Sequence, residues 1–454
     1  MLEQYPDRQP AIGNRIREMR IAAGMSQQHL ARPDYSDSYI SLIESGKRVP
    51  SPEVIQTLAI KLGVSVTYVR FGVDEAVLAA ARTKLRVAFN LLDADQPADA
   101  LTAFEEVLDV PNLTGFPGVV HRARRGKALA LQVSGRIQDA IGELEDLIGD
   151  LRGVDWEEWA RAQTALLGCR RLSGDPGAGV EDAEEALQGL AAAQAEATDA
   201  GIDLGVALAE AYLDGGELSL ARQLTARLVR AADGAGSPRA RIAAYHQAAV
   251  IAGAEGDYVR GVELVERAFK AVTEDTDIAT LGRLRLTCAR LLLKDHPDRP
   301  DQPDQADPAD RAGRVERARA LVALHREELE LTGIDESAYV VELARVDVAL
   351  GRPDAAVQHA EHALEALGGA PGGASGDAFA VLADAYTQLG RYDEAIAALT
   401  RGAEHLQAGH LPRQAAHTWV KVAELLRRTG ADDAQQAAAY RRALSSIGFM
   451  TASQ

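Results

Sequence analysis

The densest run of side chains able to engage another molecule is Ser36, Asp37, Ser38 and Tyr39, followed by Ser41 and Leu42 and then by Ser45, Lys47 and Arg48. Its hydroxyls and carboxylate can donate to or accept from a partner, and its two cations can meet an anion. That is the chemistry of recognition. Signs of bond-making chemistry are few. His359 and His362 stand at i, i+3, but no HExxH and no third ligand accompany them, so a solvent-facing pair is the plainer reading than a metal site. Residues 368–376 (GGAPGGASG) lack the GK[ST] ending of a phosphate loop, and no nucleophile elbow is present. Cys169 and Cys288 are isolated, which fits a reducing cytoplasm and argues against a disulfide framework or a zinc site. The chain reads as a non-enzyme with no metal or cofactor.

The elements that hold this run are short amphipathic helices with clear punctuation. Ile12, Ile16, Met19 and Arg20 follow the 3-4 spacing of one helix face, which Gly24 ends. Ser26 can cap a helix over Gln27–Ala31, and Pro33 marks the turn after it. Ser36 can cap a third helix, Asp37–Glu44, closed by Gly46. Ser51-Pro52-Glu53 combines a cap, a proline at the first helical position and an acid near the positive end of the helix dipole. Gly63 stops that fourth helix and Ser65 opens a fifth.

Two short helices joined by a tight turn within a five-helix unit describe a helix-turn-helix. Residues 11–72 resemble the Cro/phage-repressor-like (Xre) DNA-binding family. The likeness is carried by Gly24-Met25-Ser26-Gln27, Leu30-Ala31, Ser36 to Tyr39, Ile40 through Arg48, Leu58-Ala59 and Leu62 through Ser65. The turn departs from the family pattern, with a proline instead of the usual glycine and one residue fewer.

The resemblance implies that the third helix enters the major groove of DNA. Its first turn would be Ser36, Asp37, Ser38 and Tyr39, with Ser41 and Leu42 one turn on. Gln27 would touch phosphate, as would Ser45, Lys47 and Arg48 in the following loop. Arg20 and Glu44 match a family pair that forms a buried salt bridge, which makes them structural. Asp37 could accept from a cytosine N4, or could merely favour the helix N-terminus. Ser38 and Ser41 can bond either base type, and Tyr39 can pack on a thymine methyl or reach phosphate.

Charge is divided unevenly. Residues 1–72 hold nine Lys/Arg against seven acids, a balance of +2, and the remainder carries −20. An acidic body repels DNA and leaves only the first domain suited to contact it. Residues 1–10 form a tail without an apolar core, so no signal peptide is expected, and no uncharged apolar run approaches a membrane span. Abundant Ala, Gly, Arg and Asp hint at a GC-rich bacterial genome.

After a short junction, 73–80, with no Pro- or Ser-rich spacer, residues 81–447 read as helical repeats in an all-α chain. In residues 378–406, Ala383, Tyr386, Gly390, Tyr392, Ala395 and Leu399 fall where a tetratricopeptide (TPR) repeat places small, aromatic, turn-glycine, aromatic, small and large residues. Weaker units carry Gly135, Gly216, Gly256 and Gly351 at the turn, and others centre on Asp95, Gly174 and Gly430. Their spacing of about 40 residues exceeds the usual figure of about 34. This organisation is similar to the RRNPP group, peptide-responsive regulators of Gram-positive bacteria that join an Xre-like domain to a TPR body. Residues 295–310 (DHPDRPDQPDQADPAD) interrupt one unit and read as a disordered surface loop, with the second helix resuming near Arg314.

TPR stacks bind ligands on the face lined by the first helix of each pair. The repeat register places Arg122, Arg125, Arg161, Arg171 and Arg285 there with His246. Such arginines suit a carboxylate or phosphate, as in a peptide C-terminus or a small acidic effector, unless they are solvated partners of the many acids. Peptide-sensing relatives tend to hold the ligand backbone with asparagines, and this chain has only Asn14, Asn90 and Asn112. The function expected is a cytoplasmic, homodimeric, sequence-specific DNA-binding regulator of transcription. The alternative is a TPR adaptor with weak DNA binding.

Overall fold

The computed structural model describes residues 9–94, 96–173, 177–294, 308–332 and 337–449. Among these residues every regular element is a helix. The chain divides into two compact units, Met1–Gly149 and Asp150–Gln454.

The first unit opens with α1 (Gln9–Ala22), α2 (Gln27–Ala31), α3 (Asp37–Glu44), α4 (Pro52–Leu62) and α5 (Val66–Phe71). The sequence punctuation acts as expected. The hydroxyls of Ser26, Ser36, Ser51 and Ser65 each accept a backbone N–H three residues on, at 3.0–3.4 Å. Ile12, Ile16, Leu30, Ile40, Ile43, Ile55 and Leu58 close a small core between the five helices. This core holds α3 by one stripe only, Ile40 and Ile43, and leaves its opposite face to solvent.

Next come α6 (Glu75–Asp93), α7 (Pro97–Leu108) and α8 (Pro117–Val133), then α9 (Ile137–Leu151), which runs across the division between units. Because α6 begins at Glu75, most of the expected 73–80 junction is already helical. The α1–α5 cluster also touches the α7–α8 connection. The Phe71 and Phe116 rings lie 4.8 Å apart, and Asn112 Nδ2 donates to Gly72 O at 3.3 Å. A Cβ at Gly115 would come within 2.7 Å of the Phe71 ring.

The second unit is a series of antiparallel helix pairs. They are α10 (Trp156–Leu172) with α11 (Val180–Ala192), α12 (Asp199–Gly215) with α13 (Leu218–Ala235), α14 (Pro238–Ala254) with α15 (Tyr258–Lys270), and α16 (Ile278–Leu292) with α17 (Pro308–Thr332). The series ends with α18 (Ser337–Ala349) and α19 (Pro353–Ala366), α20 (Gly373–Gln388) and α21 (Tyr392–Ala408), and α22 (Pro412–Arg428) and α23 (Asp433–Ser446). First helices pack on first helices from α10 through α20, which makes them one layer of an α-solenoid. Gly135, Gly216, Gly256, Gly351, Gly390 and Gly430 all adopt positive φ at the turns the repeat register marked. The small residues of that register, such as Ala209, Ala249, Ala344, Ala383 and Ala395, are buried between helices.

Two boundaries differ from the sequence reading. Helix α17 starts at Pro308 and not near Arg314, because proline opens a helix readily and Asp310 pairs with Arg314 at 2.9 Å. The glycine-rich stretch 368–376 is a connection only as far as Gly372. Its last four residues form the first turn of α20, where a Cβ on Gly376 would lie 2.5 Å from the Leu406 side chain. Gly376 thus serves close helix packing. The turn positions Asp95 and Gly174, and residues 295–307 of the Pro/Asp-rich stretch, lie outside the described residues.

Helix spacing in the first unit is set by Gly126, where a Cβ would overlap the fully buried Phe104 ring. Gly126→Ala is expected to destabilise the protein by about 1–3 kcal/mol. Gly142→Ala, at a helical site with nothing within 4 Å, should raise stability by about 0.5–1 kcal/mol. Thermal melts followed by circular dichroism check both signs.

Candidate nucleic-acid interface

The candidate surface is built on α3 and the loop after it. Helix periodicity turns Ile40, Ile43 and Glu44 inward, and Asp37, Ser38, Ser41, Leu42 and Ser45 outward. Leu42 remains 40% exposed, an apolar contact on an otherwise polar face. Ser36 is exposed, but its hydroxyl accepts the Tyr39 N–H at 3.2 Å and so also fixes the helix start. Ser45 donates its hydroxyl proton to Leu42 O at 3.1 Å.

Tyr39 is half-buried and held from two sides. Its ring centroid lies 5.5 Å from that of Tyr35, and the Arg48 guanidinium sits 4.8 Å above it. This cation–π contact brings Arg48 back to the first turn of α3. The loop is shaped for that return. Gly46 takes φ 69°, and the Lys47 and Arg48 N–H groups both donate to Leu42 O, at 2.9 and 3.1 Å. The exposed cations Lys47 and Arg48 therefore flank a face of hydroxyls, one carboxylate and one leucine.

Behind this face lies the Arg20–Glu44 pair. Arg20 Nε and Nη2 donate to the two Glu44 carboxylate oxygens at 2.6 and 3.0 Å, and Nη1 donates to Met25 O at 2.8 Å. The Glu44 side chain is only 3% exposed. The hydrogen bond to Glu44 raises the Arg20 pKa above its ordinary value, so the guanidinium stays charged. Gln27 joins the network, donating Nε2 to Glu44 Oε2 at 2.8 Å. One amide N–H of this expected phosphate contact is thus committed inward.

Sequence reasoning missed two structural cations. Lys61 Nζ donates to the carbonyls of Leu30, Ala31 and Arg32 at 2.9–3.3 Å and pairs with Asp34 at 2.7 Å. It caps the C-terminus of α2 and holds the Pro-containing turn. Arg15 donates Nε to Val69 O at 2.9 Å and also reaches Arg70 O, tying α1 to the end of α5. Nothing in their spacing marks either role, since both partners are backbone carbonyls distant in sequence.

The expected effector residues of the repeats meet partners within their own units. In the first unit, Arg122 and Arg125 lie over the Phe89 ring at 5.9 and 5.5 Å. In the second, Arg161 pairs with Glu157 and, at 3.6 Å, with Glu158. Arg171 is taken by Asp214 at 2.7 Å and by Glu210. Arg285 is half-buried and partnered. His246 bonds Thr287 through Nε2 at 2.9 Å, and burial, with Arg283 and Arg290 nearby, lowers its pKa to about 4. It is therefore neutral near pH 7. His359 Nδ1 bonds Asp347 at 2.9 Å, and the described residues contain no cluster of His, Cys, Asp and Glu able to hold a metal. Among them no helix is long and apolar enough to cross a membrane.

Comparison with known proteins agrees with this geometry. Residues 16–69 match the helix-turn-helix family model, and residues 376–404 match that of the tetratricopeptide repeat. No curated protein matches the chain. Among solved structures, the Rap protein complexed with Competence and Sporulation Factor aligns at 12% identity and TM-score 0.52, over 82% of this chain and 98% of that one. At that identity the likeness establishes the fold alone. The apo quorum sensor NprR from B. thuringiensis aligns at 14% identity and TM-score 0.49, over 81% and 99% of the two chains. Bacillus thuringiensis PlcR, in complex with the peptide PapR7 and DNA, aligns at 14% and TM-score 0.32, over 72% and 100%.

Breaking the buried pair from either side should cost about 3–5 kcal/mol, because the remaining charge is left uncompensated. Arg20→Ala and Glu44→Ala are each expected to lower the melting temperature of the α1–α5 region. Amide hydrogen exchange in α2 and α3 would show the loss locally.

Proposed function

On the premise that the chain joins an Xre-type helix-turn-helix domain to tetratricopeptide repeats, we propose that it is a sequence-specific DNA-binding regulator of transcription. In this reading it works in the cytoplasm as a homodimer, performs no covalent chemistry, and uses the helical array for dimerisation and effector sensing. The domain division follows residues 11–72 for DNA and 81–447 for the array. The observation that carries the reading is the outward face of α3. It presents Asp37, Ser38, Ser41 and Leu42 beside Lys47 and Arg48, while Ile40 and Ile43 are turned inward.

The roles follow from groove chemistry. Ser38 and Ser41 can donate to or accept from base edges, Asp37 can accept from a cytosine amine, and Leu42 can pack on a thymine methyl. Ser36, Ser45, Lys47 and Arg48 meet phosphate, with Arg48 held in place by Tyr39. The turned-over amide of Gln27 keeps a free N–H for a phosphate oxygen. Only two cations sit on the reading face, so affinity requires two copies on two half-sites, about 34 Å apart. The acidic remainder of the chain keeps DNA off every other surface.

Selection from random duplexes followed by a salt titration tests this. Binding to the selected sequence should weaken linearly in log–log form with salt. Lys47→Ala with Arg48→Ala should weaken binding to all duplexes and flatten that slope by about 2. Ser38→Ala should instead change the preferred bases; an unaltered profile would remove the base-reading role. Selection that yields no preferred sequence would favour the TPR-adaptor reading.

A further inference from the structure

We infer that the layer formed by α6 and α8 holds a binding site for an oligophosphate chain, built on Arg82, Arg86, Arg122 and Arg125 around the Phe89 ring. The site deepens the reading of the array as an effector sensor by naming the effector's chemistry. It rests on that reading, but not on DNA binding. It keeps two of the arginines that the repeat register selected and adds two that the register passed over.

Charge in the first repeats is sorted by layer. The first helices α6 and α8 together carry seven Lys/Arg and two acids, whereas α7 and α9 carry eight acids and no Lys/Arg. Part of this is settled between the layers. Lys84 pairs with Glu106 at 2.6 Å, and Glu143 takes Arg124 at 2.9 Å and Lys127 at 3.2 Å. Arg82, Arg86 and Arg122 are exposed and form no ion pair among the described residues. The chain has a net charge of −18, so carboxylates are not scarce, and their absence beside these three is a property of the place.

The packing brings the arginines together. Arg82, Arg86 and Phe89 stand at i, i+4 and i+7, one stripe of α6. Helix α8 packs on α6 and sends Arg122 and Arg125 over the Phe89 ring, at 5.9 and 5.5 Å from its centroid. A ring face attracts cations without cancelling their charge. Arg125 has a further partner, so the uncompensated charge belongs to the other three. Like charges one helix turn apart repel, and α6 bears that cost between Arg82 and Arg86 until an anion offsets it. The stripe from Arg82 to Phe89 is about 10 Å long. A single phosphate is too small to span it, but a linear chain of phosphates can, and each offers the paired oxygens that a guanidinium fork takes. The two acids of α6 stand at its ends, with Glu75 accepting from Thr67 and Asp93 the last residue of the helix. A ligand joining Arg86 to Arg122 would also fix α6 against α8, whose entry holds Phe116 against Phe71 of the α1–α5 cluster.

Isothermal titration of the full-length chain, without DNA, provides the test. The probes are tripolyphosphate, ATP, inorganic phosphate and citrate. Tripolyphosphate should bind saturably at one site per chain, about tenfold more tightly than inorganic phosphate or citrate. ATP binding no tighter than tripolyphosphate identifies the free chain as the ligand, and tighter binding identifies a nucleotide that carries it. Arg86→Gln and Arg122→Gln should each weaken tripolyphosphate about tenfold without lowering the melting temperature, because neither removes an ion pair. Arg230→Gln, at an exposed arginine of α13, should leave it unchanged. No saturable tripolyphosphate binding at millimolar concentration, citrate binding as tight, or binding indifferent to Arg86→Gln would each overturn the inference. So would an equal loss in Arg230→Gln, which would mark diffuse attraction only. A salt slope for duplex binding that Arg86→Gln flattens would overturn it too, because the layer would then be a DNA contact. A chain that selects no duplex sequence yet binds tripolyphosphate would strike only the DNA-binding part of the previous reading.

Discussion

The bidentate ion pair between Arg20 and Glu44 is the constraint from which the presented face of the first unit follows. It joins the end of α1 to the end of α3, and through Met25 O and Gln27 it also takes in the turn and the start of α2. A pair so withdrawn from water contributes little net stability compared with an apolar replacement, yet is costly to break from one side. Its value is directional. A carboxylate that must face a guanidinium at the core leaves α3 one rotation about its own axis. That rotation buries Ile40 and Ile43 and presents Ser38 and Ser41.

Close packing governs the remainder. At Gly126 and Gly376 one added carbon would collide with a neighbouring side chain, so the helices stand as near as backbones allow. Interiors packed to this density transmit displacement and do not absorb it. The α1–α5 cluster shares a compact unit with α6–α8 and is joined to the α7–α8 connection through Phe71, Phe116, Gly115 and Asn112. A shift of the α7–α8 connection would therefore carry α1–α5 with it.

The arginines of the array show how far charge counting reaches. Arg161 and Arg171 lie on first helices, as the repeat register requires, but carboxylates one helix turn away or on the next first helix already hold them. In a chain with 67 acidic and 49 basic residues, many guanidinium groups among the described residues pair with a carboxylate. A groove's sign then depends on which acids are left over. That remainder is a three-dimensional quantity, set by which side chains the packing brings together.

The sequence by itself determined what local interactions determine. The serine caps, the left-handed glycines and the bounds of α2, α3 and α4 could be read because each depends on residues within four positions of one another, and the small-residue register of the repeats because it recurs along the chain. The Xre resemblance added the Arg20–Glu44 pair, which no spacing rule supplies. Only the tertiary structure decided the roles of Lys61 and Arg15 and the stacking of Arg48 on Tyr39. These depend on backbone carbonyls and ring faces brought together by chain packing, and no periodicity in one dimension encodes which of them will meet.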